Sequence, residues 1–268
     1  FVHNMSMAPF NTFSVEELHM VTEGAFWMLV NLAAIAVGYT VAPRIIPRSA
    51  NRHEEADLLA SIPIFLVMTW LAWHHTLSTG SAVQERWAGT SQSSYAFLWL
   101  YVTRQLASFP FVFLGSMKLS DRLLMTLHHI ISIIAYGGGL YTGRMHWFGT
   151  LNGCCETTSV FLNNLLLFKA IGYKGRLNAI NGVTLWSTFL IFRLVLFPYW
   201  LYCFYSDVNG HPAVTSAKVS SFELIFYPCT TIVLLCMSIV WFVTLTKGML
   251  KVIGVIGATD AKADAKAL

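Results

Sequence analysis

Apolar residues fall in seven long runs, at 24–42, 58–79, 95–117, 123–143, 148–168, 180–204 and 222–246, joined by short polar links. A helix needs about 20 mostly apolar residues to cross the hydrocarbon core of a bilayer. The pattern therefore predicts an all-α, polytopic membrane bundle of about seven transmembrane helices. Residues 1–23 read as an extramembrane tail, 24–246 as one membrane domain and 247–268 as a second tail. No internal repeat or soluble insertion interrupts the runs.

Composition strengthens this picture. Of 268 residues, 56% are hydrophobic and 11% are charged, against roughly 45–50% apolar and about 25% charged in soluble domains. So few charges exclude an ordinary soluble enzyme, a disordered chain and a nucleic-acid-binding domain. The net charge of +4 comes from basic residues scattered singly. Five cysteines without a CxxC give neither a disulfide framework nor a cysteine zinc site. Cys154, Cys155, Cys229 and Cys236 lie in apolar runs, where a thiol packs. No metal or cofactor is expected.

Lysine and arginine set the expected orientation. With the N-terminus outside, the inner segments hold twelve of them: Arg44, Arg48, Arg52, Lys118, Arg122, Lys169, Lys174, Arg176, Lys247, Lys251, Lys262 and Lys266. The outer segments hold Arg86, Arg144 and Lys218, and Arg104 and Arg193 fall within spans. The expectation is N-out and C-in. Asn4-Met5-Ser6 forms a glycosylation triplet on the expected outer side. Trp73, Trp87, Trp99, Trp147 and Trp200 mostly fall near span ends, as an interfacial belt requires.

Polar residues inside the runs carry the functional information. His129, Ser132 and Tyr136 share one face of the fourth run, beside His128. In the fifth, Asn152, Glu156, Ser159 and Asn163 recur at intervals of four, three and four. Lipid cannot satisfy such stripes, so they should face each other across a polar seam or pocket. Adjacent histidines diverge by about 100° on a helix, which suits them poorly to hold one metal. His74 and His75, near the end of the second run, suit an interfacial structural role.

Depth counting at about 1.5 Å per residue puts Arg104, Tyr136, Glu156 and Arg193 in one layer of the outer half. His129 and Asn163 form a second, inner layer. The expected ion pair is Glu156 with Arg193. Arg104 then needs another acceptor, such as a backbone carbonyl, a lipid phosphate or a fatty carboxylate.

Several stretches resemble the TLC-domain membrane family. Leu127-His128-His129-Ile130-Ile131-Ser132 resembles its HHxxS/T signature, and Glu156-Thr157-Thr158-Ser159-Val160-Phe161-Leu162-Asn163 its E-S/T-x-x-F-x-N stretch. Asn181-Gly182, Phe192-Arg193-Leu194 and Pro198-Tyr199 resemble its NG…FxxR…P-Y helix. Ser238-Ile239-Val240-Trp241-Phe242, with Lys247-Gly248, is similar to its closing N-x-x-W-F…K-G. The TLC-like core would span about 58–251. The family's ceramide synthases transfer an acyl group from coenzyme A to a sphingoid base, and their histidine pair corresponds to His128 and His129. Their following aspartate pair has no counterpart in Asn152-Gly153-Cys154-Cys155-Glu156, so the resemblance is to the other branches. It implies a protein of an endomembrane such as the endoplasmic reticulum, or of another organelle. Its expected role is to bind or sense a lipid in membrane lipid homeostasis, with membrane lipids as partners. The alternatives are an accessory subunit among other membrane subunits, or an acyltransferase with His128 and His129 catalytic. The pocket residues expected are Arg104, Ser132, Tyr136, Glu156, Ser159, Asn163 and Arg193.

Overall fold

The computed structural model describes residues 15–46, 51–80 and 82–252. The Asn4-Met5-Ser6 triplet, Arg48, Lys262 and Lys266 lie outside the described residues. The elements are α1 (Val15–Ile45), α2 (Arg52–Ser78), a short α3 (Val83–Ala88), α4 (Gln92–Leu114), α5 (Leu119–Thr142), α6 (His146–Gly153), α7 (Thr157–Ala170), α8 (Arg176–Phe189), α9 (Leu196–Gly210) and α10 (Ser221–Val252). A 3-10 turn at Cys154–Glu156 joins α6 to α7, and a π-helical stretch at Leu190–Val195 joins α8 to α9.

Among the described residues, six helices are long and apolar enough to cross a membrane: Leu18–Ile45, Arg52–Ser78, Gln92–Leu114, Leu119–Thr142, Arg176–Gly210 and Ser221–Leu250. The protein is a polytopic, all-helical membrane bundle. The apolar run at 148–168 is carried by α6, the 3-10 turn and α7, three short pieces in place of one long helix. Helix α1 begins at Val15, so part of the expected N-terminal tail is helical.

Local chemistry fixes the element ends. The Asn51 side chain accepts from the backbone N–H groups of His53 and Glu54, and Glu54 and Glu55 fall in the first turn of α2. Both features favour a helix start by satisfying free N–H groups and the positive end of the helix dipole. As a result α2 starts six residues before the apolar run and takes Asp57 into the helix. Ser91 and Ser94 form a capping box at the start of α4. Gly143, at φ 61°, ends α5 in the left-handed conformation glycine adopts without strain. Pro198 has no N–H for the carbonyl of Leu194 and its ring crowds it, which accounts for the widened π turn just before it.

Helix α4 is the most enclosed of the spanning helices. Its Phe97, Leu98, Leu100, Tyr101 and Val102 pack with Ile64, Met68 and Leu71 of α2 and with Tyr136 and Leu140 of α5. A second core, at the end of the bundle that carries α3, gathers Trp87, Met145, Trp147, Phe148, Leu151, Trp200 and Phe204. The α1–α2 pair closes to backbone contact at Gly38, where a Cβ would collide with the Ala56 carbonyl. Helix α6 closes on α4 at Gly153, whose missing Cβ leaves room for the Phe97 ring.

Candidate functional site

The polar residues singled out by their place in apolar runs are buried. Arg104, His129, Ser132, Tyr136, Glu156, Asn163 and Arg193 are all enclosed, with Ser132 only 1% and Arg104 2% exposed. Ser159 and Asn152 are half-buried. They form three groups.

The first lies towards the end of the bundle away from α3. Arg104 Nη2 donates to Asp57 Oδ1 at 2.7 Å and to Ser61 Oγ at 2.6 Å. Ser108, one turn along α4, approaches His129 Nε2 at 3.5 Å, and the Phe109 ring packs beside the imidazole. Arg104 therefore belongs with His129, not with the Glu156 layer. The acceptor left open by depth counting is a carboxylate of the chain itself. Counting placed Arg104 too high because it set the span at 95–117, whereas α4 is Gln92–Leu114 and Arg104 lies three residues nearer its C-terminal end.

The second group surrounds Arg193. Its Nε donates to Thr158 Oγ1 at 2.9 Å, and its guanidinium lies 5.2 Å over the Phe189 ring. The Glu156 carboxylate accepts from Ser159 Oγ at 2.5 Å and from the Cys155 thiol. Glu156 and Arg193 make no ion-pair contact with each other. The expected Glu156–Arg193 salt bridge is thus replaced by hydroxyl partners on each side. The 3-10 turn at Cys154–Glu156, tighter than an α-helix, shifts the register of the polar stripe at this point. Thr158 is then brought to Arg193, while Asn152 turns to α10 and donates to Thr231 Oγ1 at 3.2 Å.

The third group is a crevice between α5 and α10, floored by α6 and α9. Leu98, Ala135, Phe148, Trp200 and Leu234 give it an apolar lining, and Ser132, Tyr136, Asn152, Tyr227, Thr230 and Thr231 a polar one. Its interior of about 40 Å³ has room for about three or four waters, at the roughly 10–15 Å³ one water needs. Gly138 lets the Tyr227 hydroxyl close on the α5 backbone, 2.8 Å from where a Cβ would stand. Two lining atoms are buried without a hydrogen-bond partner: Ser132 Oγ and Asn152 Oδ1. The Tyr101 hydroxyl approaches Ser132 without completing a bond to it.

The histidine pair straddles α5. His129 faces α4, whereas His128 faces α10, its ring 6.3 Å from Trp241. Their Nδ1 atoms are both buried without partners. Among the described residues neither ring meets a carboxylate.

Sequence reading missed two polar networks near α3. Arg86 makes a two-pronged ion pair with buried Asp207, which also accepts from Trp87 Nε1 at 2.9 Å. The Asp207 hydrogen bond holds the Arg86 guanidinium above its ordinary pKa range. His146, fully buried, meets Ser94 Oγ at 2.8 Å and the Gly139 carbonyl at 3.2 Å. Beside it, His75 Nδ1 meets the capping Ser91 at 2.8 Å. His75 is thus structural, as expected, but deeply buried. Two charges 121 residues apart leave no local signal. The serine cluster Ser91, Ser93 and Ser94 did mark a helix start, and could have flagged its histidine partners.

A helical membrane bundle with a buried polar interior and an apolar crevice defines the class. Within it, the chain belongs to the TLC domain family, whose model matches residues 57–247. The human TLC domain-containing protein 4 is 27% identical over 139 residues, 51% of this chain. The chain thus spans about half the length of the curated relative it matches. No solved structure matches.

Proposed function

We propose that this protein binds a membrane lipid in the α5–α10 crevice and acts in membrane lipid homeostasis within an endomembrane. The carrying observation is that the apolar crevice holds buried Ser132 Oγ and Asn152 Oδ1 without partners. Buried polar atoms are nearly always satisfied, so two of them at one cavity call for a guest. Near it α5 exposes Ile130 and Ile134 and α10 exposes Ile232 and Val233, an apolar surface on which a chain can lie. The pocket thereby contracts from the seven residues expected. Ser132 and Tyr136 line it, Arg104 pairs elsewhere, and Glu156, Ser159, Asn163 and Arg193 support the bundle behind it. An acyltransferase draws less support, because among the described residues no carboxylate orients either histidine as a base.

Long-chain lipids with a diazirine in the tail, incorporated into membranes holding the full chain, test this reading. Photolabelling should be saturable and map to the crevice residues of α5 and α10. Ala135→Phe, which fills the opening, should remove most of it while leaving thermal stability unchanged. Labelling spread over all outward helix faces and indifferent to Ala135→Phe would sink the proposal.

The same reading takes the rod of α6, 3-10 turn and α7 as a seventh crossing, with the N-terminus outside. The basic residues at the ends of the helices support it.

A further inference from the structure

Taking the crevice as the lipid site proposed above, we infer that it selects lipids whose polar group is uncharged and both gives and accepts a hydrogen bond. A hydroxyl or a secondary amide meets this requirement; a carboxylate, a phosphate or an ester does not.

The selectivity follows from what each lining atom has left to offer. Asn152, a lining residue, spends an amide N–H on Thr231, and its unpartnered atom is Oδ1, which can only accept. Ser132 Oγ, buried and unpartnered, offers a donor with the Tyr101 hydroxyl beside it. A guest must give one hydrogen bond to Asn152 and take one from Ser132. A hydroxyl does both with one oxygen, and a secondary amide with its N–H and C=O. An ester carbonyl takes from Ser132 but leaves Asn152 Oδ1 buried and unsatisfied.

Anions are disfavoured for a second reason: among the described residues no cation lines the crevice. Arg104 is held by Asp57 and Ser61. Arg193 is turned to Thr158 and lies over Phe189. Arg144 bonds the Lys218 carbonyl and pairs with Glu223 at 3.6 Å. An anionic headgroup would meet the Asn152 carbonyl and neutral hydroxyls in an apolar surround, without a counter-charge in contact.

Competition against a diazirine-tailed long-chain alcohol, with the full chain in nanodiscs, reads this directly. The competitors share one tail length and differ in head: alcohol, N-methyl amide, methyl ester, carboxylate and monophosphate. Alcohol and amide should displace the probe from the crevice with an advantage on the order of tenfold over the other three. Ser132→Ala should weaken the alcohol, the amide and the ester alike. Asn152→Leu should bring the ester level with the other two, and Asn152→Ala makes the same test if the leucine variant does not fold. Ester, carboxylate or phosphate competing as well as the alcohol overturns the selectivity and leaves the lipid site standing. Absence of saturable labelling in the crevice by the probe overturns both.

Discussion

At the scale of single residues, Arg104 is a charge buried within a span and has a specific remedy. A charge near mid-membrane costs about 2.5–3.5 kcal/mol on insertion scales. Asp57 and Ser61 offset it with two short hydrogen bonds in a site where Arg104 is almost wholly enclosed. Removing one member of such a pair strands the other charge, at about 3–5 kcal/mol. Asp57→Leu and Arg104→Leu should each lower the unfolding temperature in detergent sharply. The double variant Asp57→Leu/Arg104→Leu should recover most of the loss, whereas additive losses would show that the pair does not couple. That Arg104 would be buried and partnered was legible in the sequence, because lipid satisfies no guanidinium. Its partner was not, since Asp57 stands one residue before the apolar run that marked the second span. The helix-start signal at Asn51, Glu54 and Glu55 was available, and it places Asp57 a turn and a half inside α2.

At the scale of helices, packing depends on a few positions where a side chain has no room. Gly38 lets α1 rest on the α2 backbone at Ala56, and backbone cannot move aside as a flexible side chain does. Small residues of this kind let membrane helices approach closely, where van der Waals contact drives association. Gly38→Ala should therefore destabilise by about 1–3 kcal/mol, the ordinary cost of overpacking. Gly182 in α8 is the control, because open space surrounds its would-be Cβ. There Gly182→Ala should be neutral or stabilise by about 0.5–1 kcal/mol, from helix propensity alone. Equal losses at both sites in thermal unfolding would refute the packing argument. The helices themselves were legible from apolar run length. The interruptions were not: the 3-10 turn at Cys154–Glu156 and the π stretch at Leu190–Val195 each lie within a single apolar run, whose length does not mark them. Each changes which residues face inward, and so Asn152 left the stripe of Glu156 and Arg193 found Thr158 in place of Glu156.

At the scale of the molecule, the broken rod of α6 and α7 decides the topology. His146 at its start meets Ser94 near the first turn of α4, at the end of the bundle that carries α3. At its far end Asn181, near the start of α8, donates to the Phe161 carbonyl of α7. The α8–α9 helix then runs back to Asp207, which holds Arg86 of α3. This course suits a crossing, and 25 residues from His146 to Ala170 rise about 37 Å at 1.5 Å each, enough for a core about 30 Å thick. Met117, exposed in the α4–α5 link, and Ser216, half-buried in the α9–α10 link, give a direct reading. Between them lie α5, the α6–α7 rod and α8–α9. If the rod crosses, the two links lie on opposite sides; if it does not, they share one. Met117→Cys and Ser216→Cys, each probed in sealed vesicles with a membrane-impermeant maleimide, should label from opposite faces. Cys154 and Cys155 are buried and should stay silent. Ser216→Cys should react from the outer face and Met117→Cys from the cytosol-like face, where Lys118 and Arg122 add to the basic excess. Labelling of both from one side would reduce the bundle to six crossings. Opposite sides in the reverse order would keep seven and invert the protein.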